Sequence, residues 1–352
     1  MLDSEHQASF DWDIADVIQL LAKHLSEDEK LAALDRARSL ATPSAKVSAL
    51  VGVADTLSAP LRDSVREDAL QIARSIEKPW YRFRAMSDVL YVSDESQKKD
   101  ILDELLSLLS DIPGEGHRRR SLFLIAGFLS DNLADRAVQL ARSFEDAGIR
   151  VQSLAKLSGH LSNKEKLEVM DELQALYEDE TGQSLVTSLL NLVKNLPIES
   201  KPQILNHVDH VAKRTARIQL LTNLIDHFPD QREDFLRQLD ELVVNDRGEP
   251  SYFWNLIVVA GVAPEPQRSQ LIKSAEGLAQ QLEGQFKVQY LAQVARYLDA
   301  DEKANIVDDA IESARSIEDP ITRAKSMGIL MSVSPDNLRS SLAAEAWKSL
   351  AG

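Results

Sequence analysis

The sequence contains no cysteine among its 352 residues. A chain without cysteine forms no disulfides, offers no thiolate metal ligands and has no cysteine nucleophile. This absence does not identify a compartment, because such a chain tolerates oxidising and reducing surroundings alike. Aromatic residues make up only 5% of the sequence, and there are only 13 Gly and 12 Pro. These values are low for a turn-dense β protein and, with Leu and Ala dominating the apolar residues, they favour helices.

Long hydrophobic runs are also missing. The best candidate, Phe253–Val262, is about half as long as a membrane span and is followed closely by Pro264. Residues 1–13 carry acids where a secretory signal would have positive charge followed by an apolar run. A cytoplasmic location is therefore the expectation.

Positive charge is scarce relative to negative charge. The chain has 40 Lys and Arg against 56 Asp and Glu, a formal net charge of −16. A field of that sign repels phosphate backbones and anionic headgroups, so neither nucleic acid nor a membrane is expected as a partner. It favours a basic partner, although solubility alone is a sufficient reason for such a charge.

What the sequence does have is a repeated three-residue word, Ala-Arg-Ser. The first two spacings are 36 residues and 68 residues, the second being twice 34, and the longer gap after them divides evenly at the same period. Such a period indicates a repeat architecture. We predict an all-α fold, an α-solenoid of about ten two-helix repeats of roughly 35 residues with a right-handed superhelix. The word occupies residues 37–39, 73–75, 141–143 and 314–316.

Each repeat has the pattern of two amphipathic helices, because apolar residues recur at steps of three and four. In one repeat the first stripe is Val47, Leu50, Val51, Ala54 and Leu57. The second stripe there is Val65, Ala69, Ile72, Ala73 and Ile76.

A helix pair of this size cannot bury both stripes alone, so neighbouring repeats must share a core. We therefore predict that residues 1–352 form one α-solenoid domain, with residues 1–41 as the N-terminal cap and residues 319–352 as the C-terminal cap. Glycine recurs late in the first helix, which predicts a close crossing of neighbouring helices. The positions are Gly52, Gly127, Gly159, Gly261 and Gly328.

In two repeats the word extends to Ala-Arg-Ser-Ile-Glu-x-Pro-x-x-Arg, at residues 73–82 and 314–323, and two first helices end in His-Leu-Ser, at residues 24–26 and 160–162. This pattern resembles bacterial α-solenoid repeats of the tetratricopeptide-like and HEAT-like kind. The aromatic signature of tetratricopeptide repeats is missing, so the subclass stays open. Because such arrays accompany enzyme or sensor modules, the resemblance implies a component of a bacterial signalling or antiviral defence system.

Motifs for catalysis are absent from the sequence. There is no glycine-rich phosphate loop, no nucleophile elbow and no HExxH helix. His207 and His210 are one helical step apart, but no further metal ligand follows at a suitable spacing. His24, His160 and His227 recur at one repeat position, which favours a structural role. We predict no enzyme, no cofactor and no metal site.

Aromatic residues in predicted loops and two basic clusters, within residues 117–120 and 213–217, could form a binding surface, since Trp, Tyr and Arg are enriched at interfaces. Two alternatives stay open: the aromatic residues could seal the core between repeats, and the bases could pair with the acid that ends the preceding repeat. The protein-binding candidates are Trp80, Tyr81, Arg82, Arg84, Arg118, Arg119, Arg120, Tyr252 and Trp254.

A curved helical repeat generally presents an extended groove to a partner. We therefore expect a non-catalytic scaffold or adaptor that binds a protein or peptide, with no oligomeric state specified by the pattern. One alternative is an acidic regulator or inhibitor that occupies the basic cleft of an enzyme. A more remote one is a solenoid enzyme acting on nucleic acid, which would need a contiguous basic groove.

Overall fold

The computed structural model describes residues 4–176 and 182–351. Within these ranges the chain forms 20 α-helices, joined by turns and short 3-10 helices, and it contains no β-strand. The predicted all-α fold is confirmed. No helix in the described part of the chain is long and apolar enough to cross a membrane.

The α-helices are numbered in chain order. They are α1 (Ser4–Leu21), α2 (Glu27–Ser39), α3 (Pro43–Ala54), α4 (Ala59–Ser75), α5 (Pro79–Val89), α6 (Glu95–Leu108), α7 (Glu115–Ile125), α8 (Asp131–Arg142), α9 (Ala147–Lys156), α10 (Asn163–Ala175), α11 (Gly182–Asn195), α12 (Leu205–Val208), α13 (Arg214–Leu224), α14 (Arg232–Val244), α15 (Tyr252–Ala260), α16 (Gln267–Ala279), α17 (Gly284–Ala295), α18 (Ala300–Arg315), α19 (Pro320–Met331) and α20 (Asp336–Ala351).

Contacts between these helices divide the chain into two compact units. Unit 1 comprises Met1–Asp111 and Glu276–Gly352, so it is built from both ends of the chain, and unit 2 is the continuous middle, Ile112–Ala275. In unit 1 the helices α5, α3, α1, α19 and α17 contact one another in that order. In unit 2 the corresponding row is α7, α9, α11, α13 and α15.

The odd-numbered helices are the first helices of their repeats, and the even-numbered helices are the second helices. A second helix packs against the first helix that precedes it, as α4 does on α3, α18 on α17 and α20 on α19. The chain is therefore an all-α protein with the architecture of a helical repeat, in which each helix pair buries its apolar stripes against its neighbours.

The Ala-Arg-Ser word lies at the C-terminal end of a second helix. Each alanine is fully buried, in a position that leaves little room for a larger side chain. Each serine donates its hydroxyl hydrogen to the carbonyl oxygen three residues earlier, at 2.7–2.8 Å, which adds a hydrogen bond to a carbonyl near the helix end. The alanines are Ala37, Ala73, Ala141 and Ala314, and the serines are Ser39, Ser75, Ser143 and Ser316.

The arginine of the word reaches the next second helix along the chain. Arg315 forms a two-bonded pair with Glu345, with distances of 3.0 Å from Nε to Oε1 and 2.9 Å from Nη2 to Oε2. These pairs are partly exposed, so each stabilises the fold by less than about 1 kcal/mol. The pairs are Arg38 with Asp68, Arg74 with Glu104, Arg142 with Glu165, and Arg315 with Glu345.

A second repeated arginine closes the junction between repeats. Arg82 donates from Nε to the carbonyl oxygen of Ile76 at 2.7 Å and from Nη2 to that of Glu77 at 3.1 Å. Arg150 and Arg323 bond the carbonyl oxygens six and five residues earlier in the same way. The idea that Arg82 pairs with the preceding acid therefore needs a correction. The acceptor is the main-chain oxygen of Glu77, because a helix end leaves its last carbonyls free to accept.

Helix α1 packs between α3 and α19, and each neighbour approaches it at a glycine. A Cβ atom added to Gly52 would lie 2.6 Å from Gln19 Cγ, and one added to Gly328 would lie 2.9 Å from Leu20 Cβ. Such distances leave no room for a methyl group in a close-packed interior. The predicted close crossing is confirmed at these two glycines. It is wrong at Gly127, where an added Cβ would meet nothing within 4 Å.

Ion pairs join the two ends of the chain beside this crossing. Lys325 on α19 donates to Asp13 at 2.7 Å and to Asp16 at 2.9 Å, both on α1. The segments 1–41 and 319–352, predicted as caps, therefore contact each other within unit 1. Helix α1 has a first helix packed on each side, so the contact between the chain ends continues the row of first helices.

We predict that Gly52→Ala and Gly328→Ala each lower the free energy of unfolding by about 1–3 kcal/mol, because an added methyl group forces two packed helices apart. Gly52→Ala is the more damaging change, since its Cβ would also lie 3.1 Å from the main-chain Cα of Gln19. Urea unfolding followed by circular dichroism measures the effect.

Gly277→Ala is the matched control for these changes. Gly277 lies within α16, and an added Cβ there would meet nothing within 4 Å. Alanine is favoured over glycine in a helix by about 1 kcal/mol, so this variant should be as stable as the original protein or more so. If Gly328→Ala is as stable as Gly277→Ala, α19 does not approach α1 as closely as described.

A second prediction concerns the pair formed by Arg315 and Glu345. The hydrogen bond from Arg315 holds the pKa of Glu345 below its usual value. The pair therefore contributes stability above the ordinary pKa of Glu and loses it as the pH falls through the lower pKa of the folded state. A double-mutant cycle with Arg315→Gln and Glu345→Gln should give a coupling below about 1 kcal/mol at pH 7, less in high salt and none near pH 2. A coupling of equal size at both pH values would contradict this account.

Candidate functional site

The candidate binding residues lie in both units, so they do not form one cluster within either. The aromatic residues predicted to lie in loops are on helices instead, because the turn-forming residues end just before them. Trp80, Tyr81, Arg82 and Arg84 are on α5 in unit 1. Arg118, Arg119 and Arg120 are on α7, and Tyr252 and Trp254 are on α15, all in unit 2.

Helix α5 presents one exposed face in unit 1. The helix begins at Pro79, a residue suited to a first helical position. Tyr81 is 47% exposed, and Lys78 Nζ lies 5.8 Å from the centroid of its ring. Arg84 is exposed one helical step further along the same face, whereas Trp80 is half-buried. Arg82 is occupied by the carbonyl oxygens described above.

Arg84 on α5 stacks over a tryptophan of α1. The Cζ atom of Arg84 lies 5.3 Å from the ring centroid of Trp12, which is half-buried. A cation–π contact at such a site is worth about 0.5–1 kcal/mol. The contact joins two first helices that each pack on α3 and creates a compact patch of aromatic and guanidinium surface.

Asp88 lies one helical turn beyond Arg84 on α5. Burial raises the pKa of its carboxyl to about 6, and the nearby charge of Arg84 offsets part of that rise.

A groove of about 430 Å³ continues this surface within unit 1, between α1, α17 and α19. Gln285 and Gln289 lie one helical turn apart on α17, and in the described part of the chain neither amide has a hydrogen-bond partner. Leu20 contributes exposed apolar surface, with 39% of its area accessible. The groove is lined by Asp16, Gln19, Leu20, Gln285, Gln289, Lys325, Ser326 and Ile329.

The lining of the groove has one acid and one base, Asp16 and Lys325, and Lys325 bonds both Asp16 and the neighbouring Asp13. Gln19 differs from the other glutamines. Its Nε2 donates to the hydroxyl of Ser48 at 2.6 Å and to the carbonyl oxygen of Ser48 at 3.0 Å. Gln19 therefore holds α1 against α3, while the amides on α17 remain available to a ligand.

These side chains form one surface because Trp12, Asp16 and Leu20 are spaced four residues apart on α1 and share a stripe of that helix. The stripe connects the patch on α5 with the groove against α17 and α19. We call this surface the unit 1 face. It consists of Tyr81, Arg84, Trp12, Asp16, Leu20, Lys325, Ile329, Gln285 and Gln289.

The basic cluster of unit 2 is largely engaged in packing. Arg119 donates to Gln152 Oε1, and its Cζ atom lies 5.8 Å from the ring centroid of Phe123. Arg118 lies over the ring of Phe144, at 6.0 Å. Arg120 is exposed. The cavity beside Arg119 has a volume of only about 130 Å³, too small for a peptide segment.

The other aromatic candidates of unit 2 lie on α15. Trp254 is 41% exposed and packs edge-to-face on Phe253, with ring centroids 5.2 Å apart. Tyr252 is half-buried. These two residues are therefore separated from the basic cluster on α7 by the intervening first helices of the row.

Groups of three or more His, Asp or Glu residues that could hold a metal ion are not found among the residues that the structure describes. His207 is 5% exposed, and burial together with the neighbouring charge of His210 lowers its pKa. His24, His160 and His227 each end a 3-10 helix, so the shared repeat position corresponds to a shared structural position.

Comparison with known proteins gives no family assignment, since neither a protein-family model nor a curated protein matches the chain.

Sequence reasoning missed the residues that form the groove. Leu20, Lys325, Gln285 and Gln289 are brought together only by the contact between the two ends of the chain. Their local sequence carries no sign of that contact. The available signal was the pair of glycines at the same repeat position, Gly52 and Gly328, which marks a close neighbour without identifying it.

Asp88 supports a prediction about pH. A folded-state pKa of about 6 exceeds that of an unfolded aspartate, near 4, so ionisation of Asp88 lowers stability as the pH rises between these values. Asp88→Asn should therefore raise the free energy of unfolding at pH 7.5 by about 1 kcal/mol, after allowance for solvent screening, and change little at pH 4.

Urea unfolding at both pH values measures this difference. Asp308→Asn, which removes an exposed carboxylate from α18, controls for the change in net charge. An equal gain for Asp88→Asn at pH 4 and pH 7.5 would show that burial does not penalise the charged carboxylate.

Proposed function

We propose that this chain is a non-catalytic scaffold or adaptor that binds an extended segment of a protein or peptide partner on the unit 1 face. The finer classification belongs to the same proposal: an α-solenoid of about ten two-helix repeats with a right-handed superhelix. The observation that carries the proposal is the pair of unpartnered amides on α17, beside exposed apolar and aromatic surface on α1.

The spacing of these amides suits an extended chain. Gln285 and Gln289 are four residues apart on a helix, a rise of about 6 Å. Two residues of an extended peptide span about 6.6 Å, so the two amides are spaced like alternate peptide groups. Because a glutamine amide both donates and accepts, each can pair with a peptide N–H or C=O group.

The apolar part of the face suits the side chains of such a segment. Leu20 and Ile329 border the groove, and Trp12 with Arg84 forms a patch beside it. Tryptophan and arginine are the residues whose removal most often weakens an interface by more than about 2 kcal/mol. Amides would fix the backbone of the segment, and this patch would supply affinity.

The charge on the face favours an adaptor over an acidic inhibitor. Lys325 pairs with both Asp13 and Asp16, and Arg84 stands beside Asp88. The net charge of −16 is therefore not concentrated on this surface. An inhibitor that fills a basic cleft would need unpaired carboxylates here.

The proposal predicts that peptides selected from a displayed random-peptide library on the intact protein bind the unit 1 face. The double substitution Gln285→Ala and Gln289→Ala should weaken their binding at least about tenfold, measured by calorimetry, because the peptide groups lose their partners. Gln71→Ala, which removes an exposed amide from the second helix α4, should leave binding unchanged.

Circular dichroism on each variant checks that the fold is retained. Trp12→Ala, which removes the tryptophan of the aromatic patch, should also weaken peptide binding. Selection of no binding peptide, or equal binding to the double variant and the original protein, would exclude this face as the binding surface.

A further inference from the structure

A second cavity of unit 1 lies apart from the unit 1 face. It has a volume of about 470 Å³ and is formed by the turn between α17 and α18 and the turn between α19 and α20. None of its lining residues belongs to the groove described above. Three of them are basic, Arg296, Lys303 and Arg339, and Ser332 and Ser334 lie between them in the lining.

The positive charge of this cavity is only partly compensated. The bonds from Arg296 to Gln293 Oε1 and to the hydroxyl of Ser332 are long, at 3.3 and 3.5 Å, and neither acceptor is charged. Within residues 4–176 and 182–351, the side-chain ammonium group of Lys303 has no hydrogen-bond or ion-pair partner. Neither Arg296 nor Lys303 has a carboxylate partner in the described part of the chain, and both lie in one lining with Arg339.

Two acidic residues near the cavity, Asp336 and Asp299, do not neutralise Arg296 or Lys303. Asp336 pairs with Arg339 at 2.8 Å, but its side chain is 90% exposed, so the pair is weak and open to exchange. The carbonyl oxygen of Ser334 accepts from Arg339 Nε at 3.0 Å, which fixes the guanidinium group. Asp299 accepts from the amides of the first turn of α18 and so faces that helix.

The positive charge of the cavity also acts on a neighbouring histidine, His24. Burial lowers the pKa of His24, and the positive charges of Arg339 and Lys23 lower it further. The long-range repulsion of an anion by the whole chain is screened over about 8 Å at physiological salt, so the nearby cations dominate within the cavity.

We propose that Arg296, Lys303 and Arg339 bind a phosphate group, either free phosphate or the phosphate of a phosphorylated small molecule. Guanidinium groups pair with phosphate oxygens through parallel N–H bonds, and an ammonium group adds a point charge. The first-turn amides of α18 are already held by Asp299, so the side chains supply the recognition.

The test uses the intact protein and two probes, inorganic phosphate and O-phosphoserine, with serine as the phosphate-free reference. Binding is measured by calorimetry at constant ionic strength balanced with chloride. Arg296→Gln and Lys303→Gln should each weaken phosphate binding at least about tenfold, whereas Lys99→Gln, the same charge change on an exposed site of α6, should leave it unchanged. Both substituted side chains lie at the protein surface, and circular dichroism confirms that the variants fold.

Equal affinity for the two probes would assign the site to the phosphate group alone, and tighter binding of O-phosphoserine would assign it to a phosphomonoester. The proposal is overturned if neither probe binds at millimolar concentration, or if Lys99→Gln weakens binding as much as Lys303→Gln. Because no residue of the unit 1 face is involved, the outcome is independent of peptide binding.

Discussion

The close packing of α1 between α3 and α19 is the constraint on which unit 1 depends. Two glycines at the same repeat position, Gly52 and Gly328, allow both neighbours to reach consecutive residues of α1, Gln19 and Leu20. Through this contact the two ends of the chain form one row of first helices. The amides of α17 and the aromatic patch of α1 and α5 belong to one surface only because of that row.

The repeat itself could be predicted because its signals are local. In Ala-Arg-Ser, the alanine leaves room at a helix crossing, and the serine adds a hydrogen bond to a carbonyl near the helix end. Each property acts within a few residues, so it recurs wherever the word recurs. The partner of the arginine, such as Glu104 for Arg74, could not be identified in advance, because it depends on how the next repeat stacks.

The proposed binding surface was predictable only in part. Tyr81 and Arg84, which the sequence grouped together, share one helix face, whereas Arg82, grouped with them, bonds the carbonyl oxygens at a helix end. The groove residues escaped prediction because Leu20 and Gln289 are separated by most of the chain. The sequence separation between two contacting residues, and not the strength of their contact, determined whether the contact could be predicted.

The most direct test of this account uses the absence of cysteine from the chain. Asp16→Cys and Lys325→Cys place two thiols where α1 meets α19, and no other thiol competes for a short bifunctional reagent. The account predicts an efficient cross-link within one chain in the native protein, lost in urea. Failure of the folded protein to form this cross-link would show that the two ends of the chain do not pack together.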